Sequence, residues 1–397
     1  MSDPPRPIYL DHHATTPVDP RVFEAMRPFF LEKFGNAASV NHAFGWEAAD
    51  AVEQAREEVA RLLGTEPGSL IFTSGATEAN NLALLGVARA AGAGRHIITT
   101  AAEHRSVLDP LRRLERTGTE LTILPVDAHA RVDPEQVAAA IKPNTLLVSV
   151  IFANNEVGSI NRLHEIGAAC RERRVLLHSD AVQAVGKIPL DLSESPIDLL
   201  SLSAHKLYGP KGVGALFVRR DRERIAIEPL VYGGGHERRL RSGTLPVPLI
   251  VGFGAACRIA GAQMIEESAR LAQLRDRLLS GLRRELDGLH VNGPPTERLP
   301  GNLNLSFEAV DGEALMTGLS GLAVSSGSAC TAADPEPSHV LRAMGVSDLL
   351  TRASLRFGLG RNTTPDEVDQ AVQIVARAVR KLRQRVGVTP DASDRSV

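Results

Sequence analysis

The chain has 397 residues, of which 43% are hydrophobic and 23% charged, and its formal net charge is −2. That length fits two domains of ordinary size, and the composition is that of a soluble globular protein. So even a charge balance offers no field to recruit nucleic acid or an anionic membrane. Met1 to Pro7 is polar and proline-rich, unlike a signal peptide, and no apolar run approaches the ~20 residues that span a bilayer. A cytoplasmic location without a membrane anchor is the expectation.

In chain order, the first clear element is WEAADAVEQAREEVARLLG, which puts Ala48, Ala51, Val52, Ala55, Val59, Leu62 and Leu63 on one helical stripe with Gly64 as C-cap. The short apolar or β-rich runs LIFTSG, HIITT, LTILPV, LLVSVIFA, VLLHSD and DLLSLSA follow, with helical segments such as TEANNLALLGVARAA and EQVAAAIK between them. This alternation predicts an α/β fold, a mainly parallel sheet covered by helices on both faces. Ligands bind such sheets beyond the carboxyl ends of the strands. The last third differs. A long polar helix over roughly 257–287 leads to the short strands LPGNLNLSF, LAVSSGSA and SLRFGLG. A final helix opens on Thr364, Pro365 and Glu367, a capping box with proline at the first helical position. This part reads as a smaller α+β domain.

Polar residues collect at the predicted strand ends. Gly75-Ala76-Thr77 opens a helix whose free N–H groups suit a phosphate, although an ordinary turn is equally open there. No GxxxxGK[ST] loop and no suitably placed GxGxxG is present, which disfavours a dinucleotide. Asp180 ends an interior strand, where a carboxylate needs a cation or several donors. Lys206 ends another; a desolvated lysine suits imine chemistry, while a plain Asp–Lys salt bridge stays open. Ser203 and His205 flank it. His104 can cover a flat ring or shuttle protons. Asn155 and Gln183 can bond a ring hydroxyl or serve as loop residues.

Three cysteines make neither a disulfide framework nor a zinc motif, and no metal is expected. Cys170 and Cys257 lie among small residues in helix-like stretches and read as buried. Cys330, in AVSSGSACTAADPEPSH, falls in a stretch with little helix or strand preference. An exposed thiol there is uncommon unless its reactivity is used, with an incidental surface cysteine as the alternative.

Six segments together resemble a known family. FTSGATEANNLA, FANNEVG, HSDAVQAVGK, SAHKLYGPKGVGAL, GGGHERRLRSGTLPV and AVSSGSACT occur in order, within a similarity running from YLDHHATTPVDPR to SLRFGLGRNTT. The family is the cysteine desulfurases of the IscS/NifS type, which are class V aminotransferase-like enzymes. The resemblance implies a fold type I pyridoxal-phosphate architecture, with a seven-stranded mostly parallel sheet, a second smaller α+β domain and a homodimer. It implies a large cofactor-binding domain over 17–257 and a small domain over 258–397, with an arm, 1–16, packing on the latter.

By the same resemblance Lys206 holds pyridoxal 5'-phosphate covalently, Asp180 pairs with the pyridine nitrogen, and His104 stacks on the ring. Ala76, Thr77, Ser203 and His205 bind the phosphate together with Thr244 from the partner subunit, and Gln183 meets the ring hydroxyl. Arg356 takes the substrate carboxylate, with Asn155 and Asn36 beside it. Cys330 accepts sulfur from L-cysteine as a persulfide, leaving alanine. The long loop around it implies transfer to several acceptors, an iron–sulfur scaffold protein and enzymes of tRNA or cofactor thiolation among them. A selenocysteine lyase, a related aminotransferase and a non-catalytic sulfur carrier are the alternatives. The sequence departs from the family at GNAAS (35–39), where GNPAS is usual, and at His12-His13, read as dimer or cofactor-region surface. Its C-terminal tail is unlike the segment with which IscS-type enzymes grip their scaffold.

Overall fold

The structure is a computed structural model that describes residues 6–326 and 337–386. A short strand β1 (Ile8–Tyr9) precedes the strands of the large sheet, which are β2 (Leu70–Thr73), β3 (His96–Thr100), β4 (Glu120–Leu124), β5 (Thr145–Ser149), β6 (Leu176–Asp180), β7 (Leu199–Ser203) and β8 (Gly214–Val218). Their order across the sheet is β2-β8-β7-β6-β5-β3-β4. Only β8 runs against its neighbours, so β2 to β7 all point their carboxyl ends to one edge. This is the expected seven-stranded, mostly parallel sheet. Six strands coincide with the apolar runs. The seventh, β8, lies in GPKGVGALF, where glycines dilute the strand signal.

Continuous apolar runs form these strands because both faces of the sheet are covered. Successive side chains point to opposite faces. Phe72, Ile98, Val148, Leu200 and Phe217 accordingly join one buried cluster, while their neighbours Ile71, Ile97, Leu147, Leu199 and Leu216 join another. On the first face the helix Ala43–Leu63, closed by Gly64 at φ 62°, packs on the helix Val247–Glu285. The two approach so closely that a Cβ on Gly254 would lie 2.6 Å from the Ala55 Cα.

A polar ladder crosses the middle of this apolar sheet. His178 in β6 bonds the Ser149 hydroxyl at 2.8 Å and the Ser201 hydroxyl at 3.1 Å. Burial pulls its pKa down to about 3. An unfolded histidine takes its proton near pH ~6.5, so this group's contribution to stability is complete above that pH and is lost as pH falls toward 3. Thermal midpoints at pH 7 and pH 4 check this: His178→Gln is expected to lower the midpoint at pH 7 but to narrow the drop between the two.

The carboxy-terminal part adds β9 (Leu289–Asn292), β10 (Asn302–Phe307), β11 (Leu322–Ala323), β12 (Ser325–Ser326) and β13 (Ser354–Gly358). Four of them form an antiparallel sheet in the order β12-β13-β10-β9, and β11 pairs in parallel with β1. Leu10 joins their buried cluster, as do Leu274, Leu278 and Leu282 of the long helix and Val368, Val372, Val375 and Val379 of the last one. The capping box forms as expected: Thr364 N–H donates to the Glu367 carboxylate at 2.9 Å, and Glu367 N–H to the Thr364 hydroxyl at 3.2 Å.

The 39-residue helix Val247–Glu285 starts ten residues before the expected one and runs through position 257/258. By length and composition it is apolar enough to cross a membrane, which corrects the expectation that no such run exists. Its apolar residues are spent on the protein core instead: Ile250, Phe253, Cys257 and Ala260 are buried in the first cluster.

Candidate active site

The strand ends open on one cavity of about 990 Å³. Ala76, Thr77, His104, Asn155, Asp180, Gln183, Ser203, His205, Lys206 and Arg356 all line it. Asn36 and Thr244 do not: both are exposed elsewhere on the surface of the same chain. Cys330 lies outside the described residues. The other two thiols are inert by position, since burial pushes Cys170 up to about 12 and raises Cys257 as well.

At one end of the cavity the helix Ala76–Ala91 begins without a side-chain cap. Its preceding Gly75 holds φ 152° and ψ −179°, a conformation that only glycine adopts readily. The Ser74 amide is taken by Glu78, whose carboxylate also pairs with Arg241 at 2.9 Å, so the amides that follow are left to face the cavity near Ser203 and His205. Burial, with Lys206, Lys211 and Lys187 nearby, lowers His205 to about 4, so the ring is a neutral donor or acceptor at physiological pH. Uncapped amides, two hydroxyls and an imidazole form a cradle for phosphate.

Asp180 is buried at the end of β6. It accepts from the Asn80 side chain at 2.8 Å and from Val182 N–H at 3.1 Å, two donors that make an interior carboxylate tolerable. Gln183 donates to the His13 carbonyl at 2.9 Å. Lys206 sits not on β7 itself but in the single 3₁₀ turn Ala204–Lys206 that follows it. From there its amine reaches the carbonyls of His13 and Ala14, at 2.6 and 2.7 Å. His104 caps the helix Arg105–Glu115 through Ser106 and faces the cavity. Shielding from water and the Lys206 charge lower its pKa, against Asp180, which raises it.

Across the cavity Arg356 projects from β13. One guanidinium nitrogen donates to Asp11 and to Ser325, both at 2.9 Å, and another to the Asn155 carbonyl at 3.3 Å. Its buried Nε has no hydrogen-bond partner among the described residues, and neither has His13 Nε2. Both residues line the cavity.

The sequence reading missed several participants. His12 and His13 are buried rather than on the surface, because the chain turns inward after β1. Glu103, before His104, is fully buried and pushed up to about 8 by that burial. His339 Nε2 donates to the Glu103 carbonyl at 2.9 Å, and His339 lines the cavity too. No spacing rule connects residues so far apart in sequence. The donor set fits a flat phosphorylated pyridine aldehyde, with phosphate donors, an interior carboxylate and a reactive amine in one cavity.

Comparison with known proteins agrees. Residues 8–371 match the family model Aminotransferase class-V. A cysteine desulfurase IscS from Anaeromyxobacter dehalogenans is 55% identical over 379 residues, covering 95% of this chain and 94% of that one. A mitochondrial cysteine desulfurase from Arthroderma benhamiae is 52% identical over 387 residues, 97% of this chain and 76% of the relative. Among solved structures, a NifS-like protein superposes with a TM-score of 0.88 at 39% identity, covering 94% of this chain and all of the other. A structure of SspA in complex with cysteine gives a TM-score of 0.79 at 38% identity, with coverages of 88% and 98%. This chain belongs to the class-V aminotransferase family of pyridoxal-phosphate enzymes, and within it to the cysteine desulfurases of the IscS/NifS type.

Proposed function

We propose that the cavity removes sulfur from L-cysteine and that the chain stores it on Cys330. The observation that carries this is the convergence of Lys206, Asp180, His104 and Arg356 on one cavity beyond the strand ends. A structural neighbour with cysteine bound supports the substrate.

When bound, the cofactor supplies an electron sink for the pair left when the substrate α-proton departs. The chain's residues do the rest. Asp180 would hold the ring nitrogen, and Ala76, Thr77, Ser203 and His205 would hold the phosphate, joined by Thr244 of the partner subunit. Gln183, Asn155 and His104 would meet the ring, and Asn36 would stand beside Arg356 at the substrate carboxylate. Arg356 orients the substrate carboxylate. The Lys206 amine takes and returns the α-proton. The Cys330 thiolate attacks the substrate sulfur, forming an S–S bond; the C–S bonding pair goes to the substrate carbon, which takes a proton. L-Cysteine and a thiol become L-alanine and a persulfide, so the atoms balance. The persulfide passes to acceptors, an iron–sulfur scaffold and thiolation enzymes in the cytoplasm.

A homodimer is part of this reading. Phe23, Phe30, Leu31, Phe34, Val40 and Trp46 are all exposed, Leu31 at 80% and Val40 at 73%, in a stretch that also holds Asn36. Surface apolar patches of this kind mark association sites. The loop leading to Thr244 is built to a fixed shape: Glu237, Arg238 and Arg239 take φ of 42°, 56° and 67°, and buried Glu237 pairs with Arg56 at 2.7 Å. The division into 17–257 and 258–397, with 1–16 on the smaller part, belongs to the same proposal.

The test is to supply L-cysteine and a thiol reductant and measure products. Alanine and sulfide in equal amounts are expected; sulfide absent while selenide is released from selenocysteine would favour a lyase of that specificity. Arg356→Ala is expected to raise KM about 10–100-fold, the worth of a charged hydrogen bond, with a smaller change in kcat. Arg356→Lys is expected to recover little of it, because an ammonium cannot reproduce the planar fork.

A further inference from the structure

A second lysine lies behind Lys206 and has no part in the reaction as described. Lys187 follows Gln183 by four residues in the turn after β6, and its amine donates to the Gln183 side-chain oxygen at 2.6 Å. The same oxygen lies 3.1 Å from His13 Nδ1, which donates to it. Gln183 in turn donates to the His13 carbonyl at 2.9 Å, and that carbonyl receives the Lys206 amine at 2.6 Å. One glutamine and one histidine thus join the two amines. Both lysines also border a separate small cavity of about 30 Å³, room for an ordered water.

The charges around Lys187 do not neutralise it. Among the described residues it makes no ion pair with a carboxylate. Glu267, from the long helix, faces the same small cavity but is held by Arg361 at 2.8 Å. Arg356 from β13 acts on Lys187 as a further positive charge. His205, beside Lys206, and His12 and His13 on the N-terminal segment all have lowered pKa values, burial being the first cause in each, and are neutral near pH 7. Tyr208 is raised by burial and stays neutral too.

We propose that Lys187 is a positioning residue for Lys206: through Gln183 and His13 it fixes where the reactive amine rests, and its charge opposes a second positive charge there. The proposal rests on Lys206 being the cofactor-bearing lysine. Burial, then the nearness of Lys206, lowers Lys187 to about 7.

The test is a spectrophotometric pH titration of the cofactor-loaded enzyme. Lys187→Met removes the charge and is expected to raise the chromophore's midpoint by about half a pH unit or more, as loss of a nearby like charge requires. Lys187→Arg keeps the charge permanently and is expected to titrate at or below the wild type. In the cofactor-free protein, the pH at which Lys206 becomes reactive to acetic anhydride, read by peptide mass spectrometry, should shift in the same order. Circular dichroism confirms folding of both variants. A wild type without chromophore at Lys206 would overturn the site reading itself. A normal wild-type chromophore with both variants titrating alike, or the methionine variant titrating lower, would overturn the role of Lys187 alone.

Discussion

Cys330→Ala is expected to abolish release of alanine and sulfide from L-cysteine while leaving the protein yellow. The thiol is the only group assigned to bond the departing sulfur, so no other residue can complete the turnover. The residues proposed to hold the cofactor, by contrast, line the cavity at the strand ends, and Cys330 is not one of them. Absorbance of the purified variant and a product assay separate the two effects. Undiminished turnover would mean that sulfur leaves without a protein nucleophile, as in a lyase of another specificity.

Lys206→Ala is the second large effect. On the proposed reading it removes both the amine that anchors the cofactor and the base that moves the α-proton. Loss of the proton transfer alone is worth about 10²–10⁴-fold. The combined loss is expected to exceed that, with the cofactor held only by its phosphate and ring contacts. The Ala14 carbonyl loses the lysine as donor while the His13 carbonyl keeps Gln183, and both are backbone groups beside a polar cavity, so the fold is expected to stand. Equilibrium dialysis of pyridoxal phosphate and single-turnover assays measure the two losses separately. Retained turnover would place the reactive amine elsewhere.

Much of this was readable from sequence because strand ends in a parallel sheet are fixed by short-range patterns. Asp180, Lys206 and Gly75 each follow an apolar run, and strand–helix alternation predicts that those runs share one sheet with their carboxyl ends at the same edge. What escaped depends on contacts between distant segments. His13 enters the site 170 residues before its partner Gln183, and His339 meets the Glu103 carbonyl 236 residues away. Neither has a local pattern that predicts burial. The strand Gly214–Val218 was masked by its glycines, yet those glycines have a reason: a Cβ on Gly214 would lie 2.8 Å from the Gly75 Cα, within the phosphate turn. The first ten residues of the long helix are apolar and small, a composition shared by strands and loops, so the sequence alone does not mark its start.

The proposed chemistry depends on one covalent linkage. Borohydride reduction of the yellow protein followed by peptide mass mapping tests it most directly. The account predicts that the cofactor is fixed to the peptide carrying Lys206. Fixation at Lys187 or Lys211 instead, or a protein that stays colourless with added pyridoxal phosphate, would contradict it.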